Sequence, residues 1–297
     1  MGRSYYLDKD AFSDKDGNFG FVITNQNPPG YLFGYIKYTF TGTGLWKGYD
    51  RILKYYGVHN LMRSPQTFSM EPCYGVEFPV IYRSQIRRHI LPEDVFEKVI
   101  TNEKKINQSD TLFSLLDKVP NSRLGVTGSI LLGIQHERSD IDLVIYGCKA
   151  AEDFMGSFKG GQPDPDWIAE TSKNYSLDVS VVKGLYDIRT RGVYRSIKYS
   201  FSFVDDRPHP YCRDVCEVKE EVEVEGELEG DCNSLFYPSI AYLYARDFYE
   251  IVSWEGIFST ALYKSKRVRI KGVRMECSKR QVILIGDRRT RGFVQVL

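Results

Sequence analysis

The chain has 297 residues, 42% hydrophobic and 27% charged, enough for two or three domains each with its own core. No apolar run approaches the roughly 20 residues that span a bilayer, and the opening Met1-Gly2-Arg3-Ser4-Tyr5-Tyr6 carries no apolar secretory leader, so the expected residence is cytoplasmic. Forty basic side chains against 39 acidic ones give a formal charge of +1, which excludes a whole-molecule electrostatic case for nucleic-acid binding.

The first ninety residues read as β-rich. Residues 19–24 and 31–40 are aromatic-rich runs separated by Asn25-Gln26-Asn27-Pro28-Pro29-Gly30, a dense turn signal that predicts a hairpin. Asp14-Lys15-Asp16-Gly17-Asn18 resembles a fragment of a calcium loop but lacks the distal glutamate, so a turn is expected. Residues 49–56 offer Ile52, Leu53 and Tyr56 on one helical face. Pro92 suits a first helical position, with Glu93 and Asp94 complementing the N-terminus and Val95, Phe96, Val99 and Ile100 forming the apolar stripe. A polar linker then leads to a second helix, capped by Ser109 or Asp110 and striped with Leu112, Leu115 and Leu116. Pro120-Asn121-Ser122 stops it, and a strand begins at Arg123 or Leu124.

Further on, residues 196–204 have strand character. From 215 to 228 Val218, Val222, Val224 and Leu228 alternate with charged residues, which predicts an edge-type strand pair turning near Gly226. Residues 236–244, 268–275 and 282–285 complete a small antiparallel sheet or barrel. Residues 217–231 are acidic, whereas 264–274 and 279–291 are basic; solvated strand faces are the simpler reading, a polynucleotide track the sharper one. The six cysteines form no CxxC pair and are expected as reduced thiols. His209, Cys212, Cys216 and Cys232 are the residue types of a zinc site, but no paired second half-site follows, so unrelated loop and strand residues are expected.

The chemistry concentrates in Leu124-Gly-Val-Thr-Gly-Ser-Ile-Leu-Leu-Gly133 and Ser139-Asp140-Ile141-Asp142-Leu143-Val144-Ile145. A strand runs into Gly128-Ser129 and then a short helix, whose first N–H groups, with the Ser129 hydroxyl, suit a phosphate. Asp140 and Asp142, two apart on a strand, share one side. Two like charges so close need a cation between them, and Mg²⁺, which uses carboxylates together with substrate phosphates, is the expected metal. In the intervening loop His136 and Arg138 are expected either to touch a triphosphate or to be simply solvated, and Ser139 is a further nucleotide-binding candidate. Lys183, Arg189, Arg191 and Arg195 are expected either to grip a triphosphate or nucleic-acid backbone or to form a basic helix end. His89 has no visible partner.

Gly-Ser followed eleven residues later by Asp-x-Asp resembles the signature of the DNA polymerase beta nucleotidyltransferase superfamily. With the β-rich flanks and Arg191-Gly192-Val193-Tyr194-Arg195, the chain is similar to an archaeal family of predicted nucleotidyltransferases. The resemblance implies an α+β chain: a β-rich N-terminal region at 1–90, a polymerase-beta-like nucleotidyltransferase α/β domain at 91–207, and a small antiparallel β domain at 208–297. It implies transfer of a nucleoside monophosphate from a nucleoside triphosphate to a hydroxyl on an RNA end, a protein or a small molecule, with no membrane partner. Gly128, Ser129, Arg138 and Ser139 would hold the nucleotide, and Asp140 and Asp142 the metal. It also implies a third carboxylate on a later strand. Asp178 is the best candidate if 177–181 is a strand, and Asp205 and Asp206 follow; the competing reading makes Asp178 a helix-surface residue and Asp205-Asp206 a turn. Two other functions compete. One is a nucleotide- or nucleic-acid-binding protein without turnover. The other is a dinucleotide-binding oxidoreductase, suggested by Thr127-Gly128-Ser129-x3-Gly133-Ile134 but lacking a βαβ repeat and a ribose-binding acid at the right distance.

Overall fold

A computed structural model describes residues 3–297 except Lys54, Tyr56, Pro72, Arg213, Ser265, Lys279, Arg288 and Arg289. In chain order the first elements are β1 (Ala11–Asp14), β2 (Phe19–Val22), β3 (Tyr31–Gly44), β4 (Gly48–Arg51), α1 (Val58–Leu61), β5 (Phe68–Glu71), β6 (Val76–Tyr82) and β7 (Ile86–Ile90). Then come α2 (Pro92–Ile100), α3 (Ser109–Leu116), β8 (Leu124–Val126), α4 (Gly128–Leu132), β9 (Ile141–Tyr146), α5 (Cys148–Ser157), α6 (Pro165–Tyr175), α7 (Val179–Leu185), β10 (Arg191–Tyr194) and β11 (Ile197–Val204). The chain finishes with β12 (Cys216–Glu229), β13 (Ser239–Tyr244), β14 (Phe248–Ser253), α8 (Ser259–Leu262), β15 (Lys266–Cys277), β16 (Arg280–Ile285) and β17 (Phe293–Val296).

Two compact units are assembled from interleaved segments: Met1–Leu53, Ile81–Asp164 and Asp187–Pro208 form the first, and Lys54–Val80, Pro165–Tyr186 and His209–Leu297 the second. The expected α+β chain with a polymerase-beta-like α/β domain at its centre is overturned. The chain is mostly β, 39% strand against 23% helix, with antiparallel sheets and a closed five-stranded barrel. The physical reason lies in the helices: among the described residues the longest, α6, has eleven residues, so no thick helical layer flanks a sheet.

In the first unit β7, β1, β2 and β3 lie side by side, each pair antiparallel, and β4 returns along β3. The β1–β2 connection is the expected turn: the Asp14 carboxylate accepts the Asp16 and Asn18 N–H groups at 3.0 and 2.7 Å, and Gly17 takes φ +84°. Alternate residues serve opposite faces. Ala11, Phe21, Tyr38 and Ile90 pack with Leu131 and Ile134, whereas Phe12, Val22, Leu32 and Ile81 form a second cluster. Each large side chain so buried contributes roughly 1.5–3 kcal/mol. The 49–56 stretch, expected as a helix, is strand through Arg51, with the Ile52 N–H donating to Lys37 O at 3.0 Å; Tyr56 lies outside the described residues.

A second sheet of this unit runs β10-β11-β9-β8, with β9 and β11 parallel. Ile141, Leu143, Val144 and Ile145 of β9 are wholly buried, as a strand covered on both faces requires. Phe154 of α5 covers one face, its ring 4.6 Å from Phe201 and 4.8 Å from Phe158. His89 does have a partner: its Nε2 lies 2.8 Å from Asp10 Oδ2, and its ring stacks on Tyr6 at 4.0 Å.

In the second unit β12, β13, β14, β16 and β15 close into the barrel, β12 pairing with β15, and β17 adds to β15. Leu228, Leu243, Ile251, Val268, Ile270 and Ile283 fill it. β12 is one unbroken strand rather than a pair turning at Gly226, because β15 supplies a continuous partner along most of its length. That pairing also accounts for the charge runs. Glu220 faces Arg274, Glu221 faces Lys271 and Glu225 faces Arg269, at 2.7, 2.5 and 2.5 Å, so the acidic strand and the first basic run neutralise each other. The cysteines are not reduced thiols. Cys73 pairs with Cys212 and Cys216 with Cys277, which removes Cys212 and Cys216 from any zinc site.

Candidate functional site

The site is built where β8 hands over to α4 beside β9. The Thr127 N–H donates to Asp142 O at 2.9 Å, so the β8–α4 turn is stitched to the acid-bearing strand. Gly128 follows at φ +65°, and a Cβ there would lie 2.3 Å from Asp142 Oδ2. Only glycine allows both the left-handed backbone and that approach of the carboxylate. Ser129 is buried in the first turn of α4, and among the described residues its hydroxyl has no hydrogen-bond partner. Gly133, at φ +74°, then ends α4 after five residues.

Asp142 sits on β9, and its Oδ1 accepts the Ser200 hydroxyl at 2.5 Å. Asp140 comes just before the strand and accepts no hydrogen bond among the described residues. Although much of Asp140 faces solvent, desolvation of its carboxyl, followed by the charge of Asp142, pushes its pKa up to about 6; Lys198 and Arg51 pull the other way. The two acids are therefore close enough to repel. Among the described residues Oδ2 of Asp142 and both oxygens of Asp140 accept no hydrogen bond, which leaves hard oxygens of the kind a divalent cation takes.

The loop between the motif halves is fixed by its own contacts. The Ser139 hydroxyl accepts the His136 N–H at 3.0 Å, and the Gln108 amide donates to the carbonyls of His136, Glu137 and Ser139 at 3.0–3.3 Å. Ser139 is thus a buried loop staple. Arg138 is exposed, with its N–H on His136 Nδ1. Arg189 is committed to the Asp187 carboxylate and the Met155 carbonyl, and Arg195 lies exposed in the β10–β11 turn.

The expected third carboxylate is not delivered as foreseen. Asp178 belongs to the second unit, exposed as the N-cap of α7, so 177–181 is no strand. Asp205 and Asp206 follow the C-terminal end of β11, whereas Asp142 pairs near the start of that strand, with Ser200 beside it. The acid that reaches the Asp140 neighbourhood is Asp164, buried just before α6 and ion-paired with Lys198 at 3.1 Å. Asp140, Asp142 and Asp164 do not all come within 4.8 Å of one another. Sequence inspection also missed Arg51 and Trp46: the Arg51 guanidinium lies 4.7 Å over the Trp46 ring, which also neighbours the Tyr38 ring at 5.6 Å and the His136 ring at 5.9 Å. No local signal marks these residues, since strand pairing far from the motif in sequence brings them to the site.

No family model, no curated protein and no solved structure matches this chain.

Proposed function

We propose that the Gly128–Asp142 site performs metal-dependent nucleotidyl transfer, moving a nucleoside monophosphate from a nucleoside triphosphate to a hydroxyl with release of pyrophosphate. The observation that carries this is the seating of Asp142 against a cradle only Gly128 leaves open, with the repelled, unpartnered Asp140 beside it. A pair of carboxylates so placed is costly until a cation arrives, and a triphosphate supplies the remaining oxygens. Mg²⁺, held by Asp140 and Asp142, would polarise the phosphoryl group and neutralise developing charge. Gly128 N–H and the Ser129 hydroxyl orient a phosphate, Lys198 offers a nearby cation, and Asp164 holds Lys198 in place. The Gly-Ser and Asp-x-Asp motifs resemble those of nucleotidyltransferases, and the acceptor is an RNA end, a protein side chain or a small molecule.

A second reading, nucleotide binding without turnover, is favoured by two observations: Ser200 occupies the β11 position beside Asp142, and Asp164 is engaged with Lys198. Pyrophosphate release separates the two. The transferase reading requires Mg²⁺-dependent release from at least one nucleoside triphosphate that disappears in Asp142→Asn; tight metal-dependent binding with no release leaves the binding protein. No helix among the described residues is long and apolar enough to cross a membrane. Cytoplasmic residence fits the paired cysteines only in a cytosol that keeps disulfides, as that of hyperthermophiles does.

A further inference from the structure

Away from the acid pair, the first unit contains a cavity of 470 Å³ walled by β1, β2, β7, α2 and α4. Its floor is apolar and aromatic, with Phe19 and Tyr49 in contact at 4.9 Å and Leu131 beside them. Its walls are cationic: Arg87 and Arg88 from β7, Lys98 from α2 and Lys104 from the α2–α3 connection. Among the described residues Arg87, Arg88 and Lys98 make no ion pair. Among the described residues Asp14 is the one carboxylate lining the cavity. Its oxygens already accept Asp16 N–H, Asn18 N–H and the Asn18 amide, so it serves the β1–β2 turn rather than the cations.

We propose that this cavity binds a small organic phosphate, its anionic group held by Arg88, Lys98 and Lys104 and its apolar or aromatic body lying on Phe19 and Tyr49. Several like charges gathered at one concave wall are held against repulsion, and a multiply charged anion relieves it more fully than a single carboxylate does. Lys104 reports that crowding. Desolvation, then the charges of Lys47, Lys98 and Arg88, lower its pKa to about 8. Its ammonium is positioned by the Ile130 carbonyl at 2.8 Å, at the end of α4 remote from Gly128. The volume falls within the roughly 300–1,000 Å³ usual for small-ligand sites. This proposal stands apart from the acid-pair site, because it needs neither metal nor Asp140.

The test is calorimetric titration of the full chain with adenosine monophosphate in EDTA, which silences a metal site, with adenosine and inorganic phosphate as comparison ligands. Arg88→Ala/Lys98→Ala changes two exposed side chains, and Arg88→Lys/Lys98→Arg keeps their charge. The expected result is adenosine monophosphate binding that weakens at least about tenfold in the alanine pair, persists in the charge-keeping pair and is unchanged in Asp142→Asn. Adenosine and phosphate should each bind at least about tenfold more weakly than the monophosphate. The proposal is overturned if wild type does not bind the monophosphate at millimolar concentration, or if the alanine pair binds as wild type does. It is equally overturned if Asp142→Asn abolishes binding, or if adenosine or phosphate alone matches the monophosphate.

Discussion

At the scale of single residues, Asp140 is the group of the candidate site whose environment is at odds with its charge. Its pKa stands raised to about 6, by desolvation and then by Asp142. A carboxylate whose folded pKa is raised binds protons more readily in the native state than in the unfolded one. Its presence therefore leaves stability intact below about pH 4 and erodes it as pH rises through about 6. Asp140→Asn removes the charge and keeps the shape. Without metal, the variant is expected to be more stable than wild type above pH 6, by on the order of 1 kcal/mol after allowance for solvent screening, with the gap closing below pH 4. Thermal melts across that range check it; a variant less stable than wild type at pH 8 contradicts it. Mg²⁺ should narrow the gap, since it stabilises only the wild-type pair. The nearness of Asp140 to Asp142 was legible in their two-residue spacing, although only Asp142 lies on β9 and Asp140 precedes the strand instead of sharing its face. Asp164 and Arg51 were not, because nothing local connects them to residue 140.

At the scale of elements, the β8–α4–β9 unit shows which signals travel well from sequence to structure. Pro92 opens α2 and the Ser109–Leu116 helix forms where its leucine stripe predicts, because proline geometry and helical periodicity are local. The hairpin of β2 and β3 likewise follows its turn residues. By contrast, Asp178 depended on whether five residues were strand or helix, and Val179–Leu185 became helix. Gly226 resembled a turn yet lies within β12, since its pairing with Val268 on the distant β15 decides the matter. Gly128 gives the sharpest element-scale prediction. Gly128→Ala places a methyl 2.3 Å from Asp142 Oδ2 on a backbone with φ +65°. The left-handed conformation alone costs roughly 1–2 kcal/mol, and the carboxylate must also move. A lowered melting temperature together with at least tenfold weaker Mg²⁺-dependent triphosphate binding is expected. Unchanged metal-dependent binding in a folded Gly128→Ala protein contradicts the cradle.

At the scale of the molecule, each unit draws on segments separated by long stretches of chain, and composition alone announces neither. The near-zero net charge proves to conceal a local arrangement: the acidic β12 and the basic β15 are adjacent strands whose charges cancel across the ladder. Such exposed pairs are screened by solvent, so they specify pairing more than they stabilise it. The disulfides act more strongly. Cys73–Cys212 closes a sequence separation of 139 residues and Cys216–Cys277 one of 61, and both lie in the second unit. Long closures restrict the unfolded chain, and loss of one typically costs about 2–5 kcal/mol. Melting under reducing conditions is expected to fall by several degrees or more. An identical melting curve with and without reductant, with thiol titration confirming reduction, contradicts that role. The pairing escaped sequence inspection because separations of this length carry no motif.

The central claim is that Asp140 and Asp142 hold a metal that brings in a nucleoside triphosphate. The most direct measurement is calorimetric titration of each of the four ribonucleoside triphosphates into wild type and Asp140→Asn/Asp142→Asn, with Mg²⁺ and with EDTA. For at least one triphosphate the account expects a binding component that appears with Mg²⁺, weakens as pH falls through about 6 as Asp140 takes up its proton, and is absent from the double variant. Failure of Mg²⁺ to alter triphosphate binding by wild type, or an equal Mg²⁺ effect in the double variant, contradicts it.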